Sequence, residues 1–162
     1  MENIVIRRAV KSDYEVIGKL LGEILEQHRS GRPDLFEQEA AVAGKYTREE
    51  FDGLLSDEKT AIFSAVCGGE VVGYLISKVL DESHNSVLKK IKTLYIDDLC
   101  VTQGARRTGA GRMLMEAAEE YARAIGCHNI TLNVWGFNEN AQGFYRHLGY
   151  SAQRMEMEKV LD

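Results

Sequence analysis

Two neighbouring features of this chain place reactive groups where they can do chemistry. Asp97 and Asp98 stand side by side in Leu94-Tyr95-Ile96-Asp97-Asp98-Leu99-Cys100-Val101, an otherwise apolar and β-branched run that reads as a strand. Carboxylates are costly in such a setting unless they are paired or serve as a base. Adjacent strand residues point to opposite faces, so only one of the two faces a given cleft unless a bulge intervenes. The bland alternative pairs either carboxylate with Arg7, Arg8 or a backbone N–H. The second feature is Gly104-Ala105-Arg106-Arg107-Thr108-Gly109-Ala110-Gly111, which leads into Met113-Leu114-Met115-Glu116-Ala117-Ala118-Glu119-Glu120-Tyr121-Ala122, a run of strong helix formers. Strand, glycine-rich turn and helix together build an anion site. Glycine lets the backbone approach a ligand, and the first N–H groups of a helix lack internal partners. The helix dipole adds up to about 2 kcal/mol for a phosphate in good geometry.

Three phosphate-binding patterns compete for this turn. A P-loop requires a lysine after its last glycine, which is missing here. A dinucleotide fingerprint requires a third glycine where Leu114 stands. The third pattern fits: Arg106-Arg107-Thr108-Gly109-Ala110-Gly111 resembles the Arg-x-x-Gly-x-Gly signature of the GNAT superfamily, the acyl-CoA-dependent N-acetyltransferases. Leu99-Cys100-Val101 resembles the exit of that family's fourth strand, and Asn138-Glu139-Asn140-Ala141 its Asn-x-x-Ala helix start. Phe144-Tyr145-Arg146-His147-Leu148-Gly149-Tyr150 is similar to its Phe/Leu-Tyr-x-x-Leu-Gly-Phe/Tyr segment.

The resemblance implies acetyl-CoA as co-substrate. Its pyrophosphate would rest on the amides from Arg107 through Thr108, Gly109 and Ala110 to Gly111, with Arg106 and Arg107 supplying charge. Its pantetheine arm would pair with the main chain of Leu99, Cys100 and Val101, near Asn138. Asn138 equally suits a helix N-cap. Tyr145 matches the family's tyrosine acid, which protonates the leaving thiolate. Some polyamine and aminoglycoside members carry an acidic residue two before the Leu99-like position, which selects Asp97 over Asp98 as base. The segment joining the first two helices lines the acceptor site in the family, pointing to His28, Arg32 and Asp34. Trp135 and Phe137 follow the splayed strand as an acceptor wall or as lid packing. The implied activity is acetyl transfer to a primary amine of a small molecule (polyamine-, aminoglycoside- or amino-acid-like) by direct attack in a ternary complex. Acetylation of a protein N-terminus or lysine is the alternative within enzymes, and a non-catalytic CoA-binding or sensing module the alternative outside them. Many members pair, so a homodimer is compatible with the resemblance.

Composition narrows the classes further. The 162 residues suit one domain spanning 1–162. A net charge of −5, with Lys89-Lys90-Ile91-Lys92 as the one basic cluster, argues against a nucleic-acid partner and mildly favours a cationic one. No apolar run approaches the roughly 20 residues that span a bilayer, so no membrane partner is expected. Met1-Glu2-Asn3-Ile4 has no signal-peptide character, which makes the cytoplasm the expected location. The three cysteines, Cys67, Cys100 and Cys127, suit reduced thiols. His28, His84, His128 and His147 show no metal spacing, so no metal site is expected.

The elements needed to hold these groups can be traced along the chain. A first strand at Ile4–Ala9 precedes a helix opened by a Ser12/Glu15 capping box, with an apolar stripe through Val16, Ile17, Leu20, Leu21, Ile24 and Leu25, ending near Gly31. Thr47 and Glu50 form a second capping box, for a helix reaching about Leu55. Strands at Thr60–Val66 and Val71–Ser77 flank a Gly68-Gly69 hairpin. The polar stretch Asp81–Lys90 reads as a loop, followed by a strand over Lys92–Val101. After the central helix, with Gly126 as its C-cap, come a strand at Asn129–Val134, a helix from Asn138 to about Leu148 and a last strand at Ser151–Val160. This order is that of the GNAT fold: an α/β (α+β) domain with a mixed, mostly antiparallel sheet of six to seven strands. Helices lie on both faces, and a V-shaped splay separates strands 4 and 5.

Overall fold

The computed structural model describes residues 3–37, 45–81 and 85–161, so part of the 81–90 loop expectation lies outside the described residues. Five strands, β1 (Ile4–Arg8), β2 (Thr60–Cys67), β3 (Glu70–Leu80), β4 (Thr93–Val101) and β5 (Asn129–Leu132), form one sheet in that order. β1 to β4 are antiparallel, and β5 lies parallel to β4. The sheet is therefore mixed, but it has five strands among the described residues where six to seven were expected. β5 ends two residues early. Ser151–Val160, expected as the last strand, lies outside any sheet and is exposed throughout. Alternating residues alone cannot make a strand, because its backbone groups need a neighbour to pair with.

The central strands are apolar on both sides because both faces are covered. On one face, α3 (Ala110–Ala124) seats Leu114, Met115, Ala118 and Ala122 against Leu75, Leu94 and Ile96. On the other, α1 (Tyr14–Gly31) and α2 (Arg48–Ser56) bring Ile17, Leu20, Leu21 and Phe51 onto Ile62, Tyr74, Ile76 and Cys100. α4 (Glu139–His147) returns Phe144 and Tyr145 to the α3 side. Cys67–Glu70 is the expected tight turn, with φ of 58° at Gly68 and 84° at Gly69, values that glycine adopts without strain.

The two capping boxes part ways. Thr47 forms its box with Glu50: Glu50 N–H donates to Thr47 Oγ1 at 3.2 Å and Thr47 N–H donates to Glu50 Oε2 at 2.7 Å. The Ser12/Glu15 box does not form. α1 instead starts at Tyr14, one residue later than that box requires, behind a 3₁₀ turn at Lys11–Asp13. Asp13 is the reason. Its buried carboxylate takes two bonds from Arg7 (2.7 and 2.9 Å), one from Val10 N–H (3.0 Å) and one from Ser64 Oγ (2.9 Å). Burial works to raise the Asp13 pKa, but these donors outweigh it and hold the carboxyl below its ordinary value.

Candidate active site

β4 pairs with β5 only from Thr93 to Ile96, so the main chain from Asp97 to Val101 is left without a β5 neighbour among the described residues. This is the expected splay. It opens where β4 is irregular: Ile76 faces Asp98 and Ser77 faces Ile96, making Asp97 the extra residue of a β-bulge. The bulge removes the strict alternation of faces. As a result one ammonium reaches both carboxylates, with Lys45 Nζ 2.9 Å from Asp97 Oδ2 and 2.6 Å from Asp98 Oδ2. Tyr46 OH donates to Asp97 Oδ2 at 3.1 Å. Among the described residues neither carboxylate pairs with an arginine; Arg7 is taken by Asp13, and Arg8 lies over the rings of Phe63 and Tyr121.

The two acids are not equivalent. The Asp98 side chain is 11% exposed and that of Asp97 35%. Burial lifts the Asp98 carboxyl above its ordinary value, opposed by the Lys45 ammonium and reinforced by the Asp97 charge. Burial also lifts Tyr46, to about 12. The Tyr74 hydroxyl is fully buried, feels the charges of both acids and makes no hydrogen bond among the described residues.

An aromatic wall stands close to Lys45. His28 packs on Phe36 and Trp135 at 5.5 and 6.1 Å between ring centres, and Trp135 stacks on Phe137 at 6.1 Å. Burial, followed by the nearby Lys45 charge, depresses the His28 pKa and keeps the imidazole neutral. The Trp135 turn is clamped from α4, where Gln142 Nε2 donates to the carbonyls of Trp135 and Gly136 at 3.2 and 3.0 Å. Its Phe137 ring lies so close to Gly31 that a Cβ there would sit 2.3 Å from the ring carbons. Only glycine at the end of α1 allows this contact. Beside the acids, a cavity of about 500 Å³ is lined by Tyr46, Leu54, Ile76, Tyr95 and Asp97. Arg32 and Asp34 do not join the site: they pair with each other at 2.7 and 2.9 Å, and Arg32 also binds Glu158.

Past the splay, a 3₁₀ turn at Gln103–Ala105 leads to the glycine run. Gly109 begins α3 with φ of 93°, and Arg107 holds a φ of 65° that a side chain rarely adopts. Thr108 Oγ1 donates to Ala105 O at 2.6 Å and shapes the turn. The first-turn N–H groups of α3 meet neither a capping side chain nor an acidic neighbour, and Arg106 and Arg107 are exposed beside them. Gly111 lets α3 pack closely on α4, because a Cβ there would lie 3.3 Å from the Phe144 ring. Leu99 and Val101 point their side chains into the α3-side core, and Cys100 into the other. Burial pushes the Cys100 thiol up to about 11, so it is not a thiolate nucleophile at neutral pH. Burial also raises Tyr145, to about 12, with contributions from Tyr150 and the charge of Asp98. Asn138 caps α4, its Oδ1 accepting from Ala141 N–H at 3.1 Å.

Sequence reasoning thus named both acids, Tyr145, His28, Trp135 and the glycine turn, and it missed Lys45, Tyr46 and Tyr74. Lys45 and Tyr46 precede a capping box and carry no motif. Tyr74 looks like any core aromatic of a central strand.

Residues 21–150 match the model of the acetyltransferase (GNAT) family. The chain is 32% identical over 146 residues to the uncharacterized N-acetyltransferase YhfO of Bacillus subtilis (strain 168), covering 90% of this chain and 88% of that protein. It is 36% identical over 87 residues to a blasticidin-S acetyltransferase of Streptomyces morookaense, covering 52% of this chain and 55% of that protein. Among solved structures, a mutant of the BH1408 protein of Bacillus halodurans superposes with a TM-score of 0.90 at 30% identity over 97% of this chain and 99% of its own. An aminoglycoside acetyltransferase from an uncultured soil metagenomic sample, in complex with sisomicin, has a TM-score of 0.71 at 20% identity over 98% and 97% of the two chains and shares the fold.

Proposed function

Because this chain belongs to the acetyltransferase (GNAT) family and is an acyltransferase, we propose that it moves the acetyl group of acetyl-CoA directly onto a primary alkylamine of a small cationic molecule. One observation carries the choice of acceptor: the protein holds an alkylammonium of its own, that of Lys45, between Asp97 and Asp98 at the β4 bulge. The acceptor's ammonium takes its place. The aromatic wall of His28, Phe36, Trp135 and Phe137 and the cavity beside Asp97 receive the rest of the molecule. The names of two matched proteins, a blasticidin-S acetyltransferase and an aminoglycoside acetyltransferase, agree with a compact cationic acceptor.

The residues present suit acetyl-CoA. The uncapped first turn of α3 offers N–H donors to its pyrophosphate, flanked by Arg106 and Arg107, and the β4 edge from Asp97 to Val101, which has no β5 neighbour among the described residues, offers a strand edge to its amide-bearing arm. Bound there, it supplies an activated acyl carbon. An alkylammonium with a pKa near 10 is about one part in a thousand neutral at pH 7, so a base must act first. Asp98 is the better base: it is the more buried acid, its pKa is raised, and it shares an electrostatic environment with Tyr145. Asp97, with Tyr46, holds the ammonium in place, which reverses the preference for Asp97 drawn from the family position. The free amine then attacks the carbonyl carbon. An N–C bond forms, and negative charge on the carbonyl oxygen meets a main-chain N–H near Leu99 on the edge that β5 leaves open. As the C–S bond breaks, Tyr145, kept protonated by its raised pKa, gives its proton to the thiolate, and the second proton that the attacking nitrogen must lose restores the Tyr145 phenol.

Thiol release from acetyl-CoA in the presence of an amine panel tests this reading. Small cationic alkylamines are expected to accelerate release. Acceleration by peptides alone would move the activity to protein acetylation, and acetyl-CoA binding without any amine-stimulated release would make the protein a sensor.

A further inference from the structure

Lys45, which no sequence motif marks, is a primary alkylamine already seated on the acid pair. Its Nζ lies 2.9 Å from Asp97 Oδ2, 2.6 Å from Asp98 Oδ2 and 5.4 Å from the centre of the Tyr46 ring. These contacts hold a flexible four-carbon stem in one place. Among the described residues Lys45 is the one lysine bound by both acids. Lys11 pairs with Asp52, Lys59 with Asp81, and Lys92 donates to the Ile125 carbonyl. Lys78 lines the cavity beside Asp97, and neither acid binds it among the described residues.

The Lys45 nitrogen thus stands where the acceptor's nitrogen is proposed to sit, and it is tethered there. A tethered nucleophile needs no encounter, which converts a bimolecular step into an effectively unimolecular one. Its charge restrains it. Burial works to lower the Lys45 pKa, but the bonds from Asp98 and Asp97 outweigh it and raise it above the ordinary lysine value. The nitrogen therefore stays an ammonium until a carboxylate takes its proton, and Asp98 is in contact to do so.

We propose that, with acetyl-CoA bound and no acceptor present, the protein acetylates its own Lys45, once per chain. Asp98 takes one proton from the Lys45 ammonium. The freed Nζ attacks the acetyl carbonyl carbon, an N–C bond forms and the C–S bond breaks. Tyr145 protonates the leaving thiolate, and the second proton lost by the nitrogen restores the phenol. Asp98 then passes its proton to solvent, leaving a neutral amide on Lys45 and a free CoA thiol. The amide has a single N–H donor and no charge, so it cannot bridge two carboxylates as the ammonium does. Acetylated Lys45 leaves the acid pair open to a diffusible amine. This self-modification presupposes the acetyl transfer proposed above and adds to it a covalent site on the chain itself.

Intact mass and peptide mapping of the full chain, before and after incubation with acetyl-CoA alone, read the outcome. A single acetyl group is expected, on Lys45 ahead of every other lysine. Lys45→Arg keeps a cation for the two acids, but a guanidinium does not give up its proton. The mark is expected to be lost in that variant while circular dichroism and calorimetric acetyl-CoA binding hold. Asp98→Asn is expected to slow marking about tenfold or more, which separates catalysed transfer from spontaneous acylation of an exposed lysine. Lys45 left unmodified, while amines of the panel accelerate thiol release, overturns the self-acetylation and leaves the proposed function standing. Lys45 left unmodified with no amine-stimulated release overturns both. Marking spread evenly over several lysines, or unchanged in Asp98→Asn, overturns the self-acetylation as well.

Discussion

At the scale of single residues, the proposed chemistry turns on two proton transfers and the groups that carry them. Tyr145→Phe removes the proton proposed for the leaving thiolate but keeps the ring packed on Phe144 and Tyr150. It is expected to lower kcat by about 10²-fold or more with little change in acetyl-CoA affinity; steady-state rates beside calorimetric binding decide this. As the proposed base Asp98 must be ionised, and burial raises its pKa, so kcat/KM should fall as pH drops through a value above the ordinary carboxylate range. In Asp98→Asn that acid limb should vanish along with most of the rate, whereas Asp97→Asn should keep the limb and raise KM for the amine. The acids and Tyr145 were legible because carboxylates inside an apolar strand, and a tyrosine inside a motif, are conspicuous. Lys45 was not. It meets Asp97 and Asp98 from 52 and 53 positions away, and nothing local marks a lysine for such a pairing.

At the scale of elements, position follows from departures from regularity. The bulge at Asp97 turns two adjacent side chains toward one cation, and a regular strand would have separated them. Sequence reasoning could name the bulge as a condition without locating it, because its register is set by β3. The Ser12/Glu15 box failed for a related reason, since a buried Asp13 with four donors outcompetes a local cap. The start of α3 was legible because glycine has few other uses there. Gly109 sits at φ 93° with open space where a Cβ would be, so damage from a side chain there comes from backbone strain and from what it does to a ligand. Gly109→Asp places a carboxylate at the uncapped first turn, and acetyl-CoA binding is expected to be lost by calorimetry while the fold persists. Retained tight binding would refute the anion site.

At the scale of the whole molecule, the class of fold was readable from the order of elements, and the strand count was not. A strand exists only with a neighbour, and the sequence pattern of 151–160 does not say whose. The acceptor was unreadable for a similar reason, because the wall proposed for it is assembled from α1, the segment after it and the turn after β5. Acid stability is a property at this scale, since Asp13 ties together β1 through Arg7, β2 through Ser64 and the entry to α1. Its folded pKa lies below the unfolded one. The stabilisation is therefore complete above about pH 4 and lost as pH falls through the folded value. Asp13→Asn is expected to cost about 2 kcal/mol at neutral pH, a modest figure because Arg7 stays partly in water, and the gap to the parent protein should close in acid. Denaturant melts across pH measure both.

The ammonium of Lys45 on the two acids has one more effect, on the protein at rest. With Asp98 as the proposed base, that cation engages the carboxylate that would otherwise strip a proton from a passing water, so a loaded thioester is expected to be spared futile hydrolysis until an acceptor displaces the lysine. Idle turnover is thereby tied to vacancy of the acid pair, and the acceptor-free baseline of the thiol-release screen reads it directly.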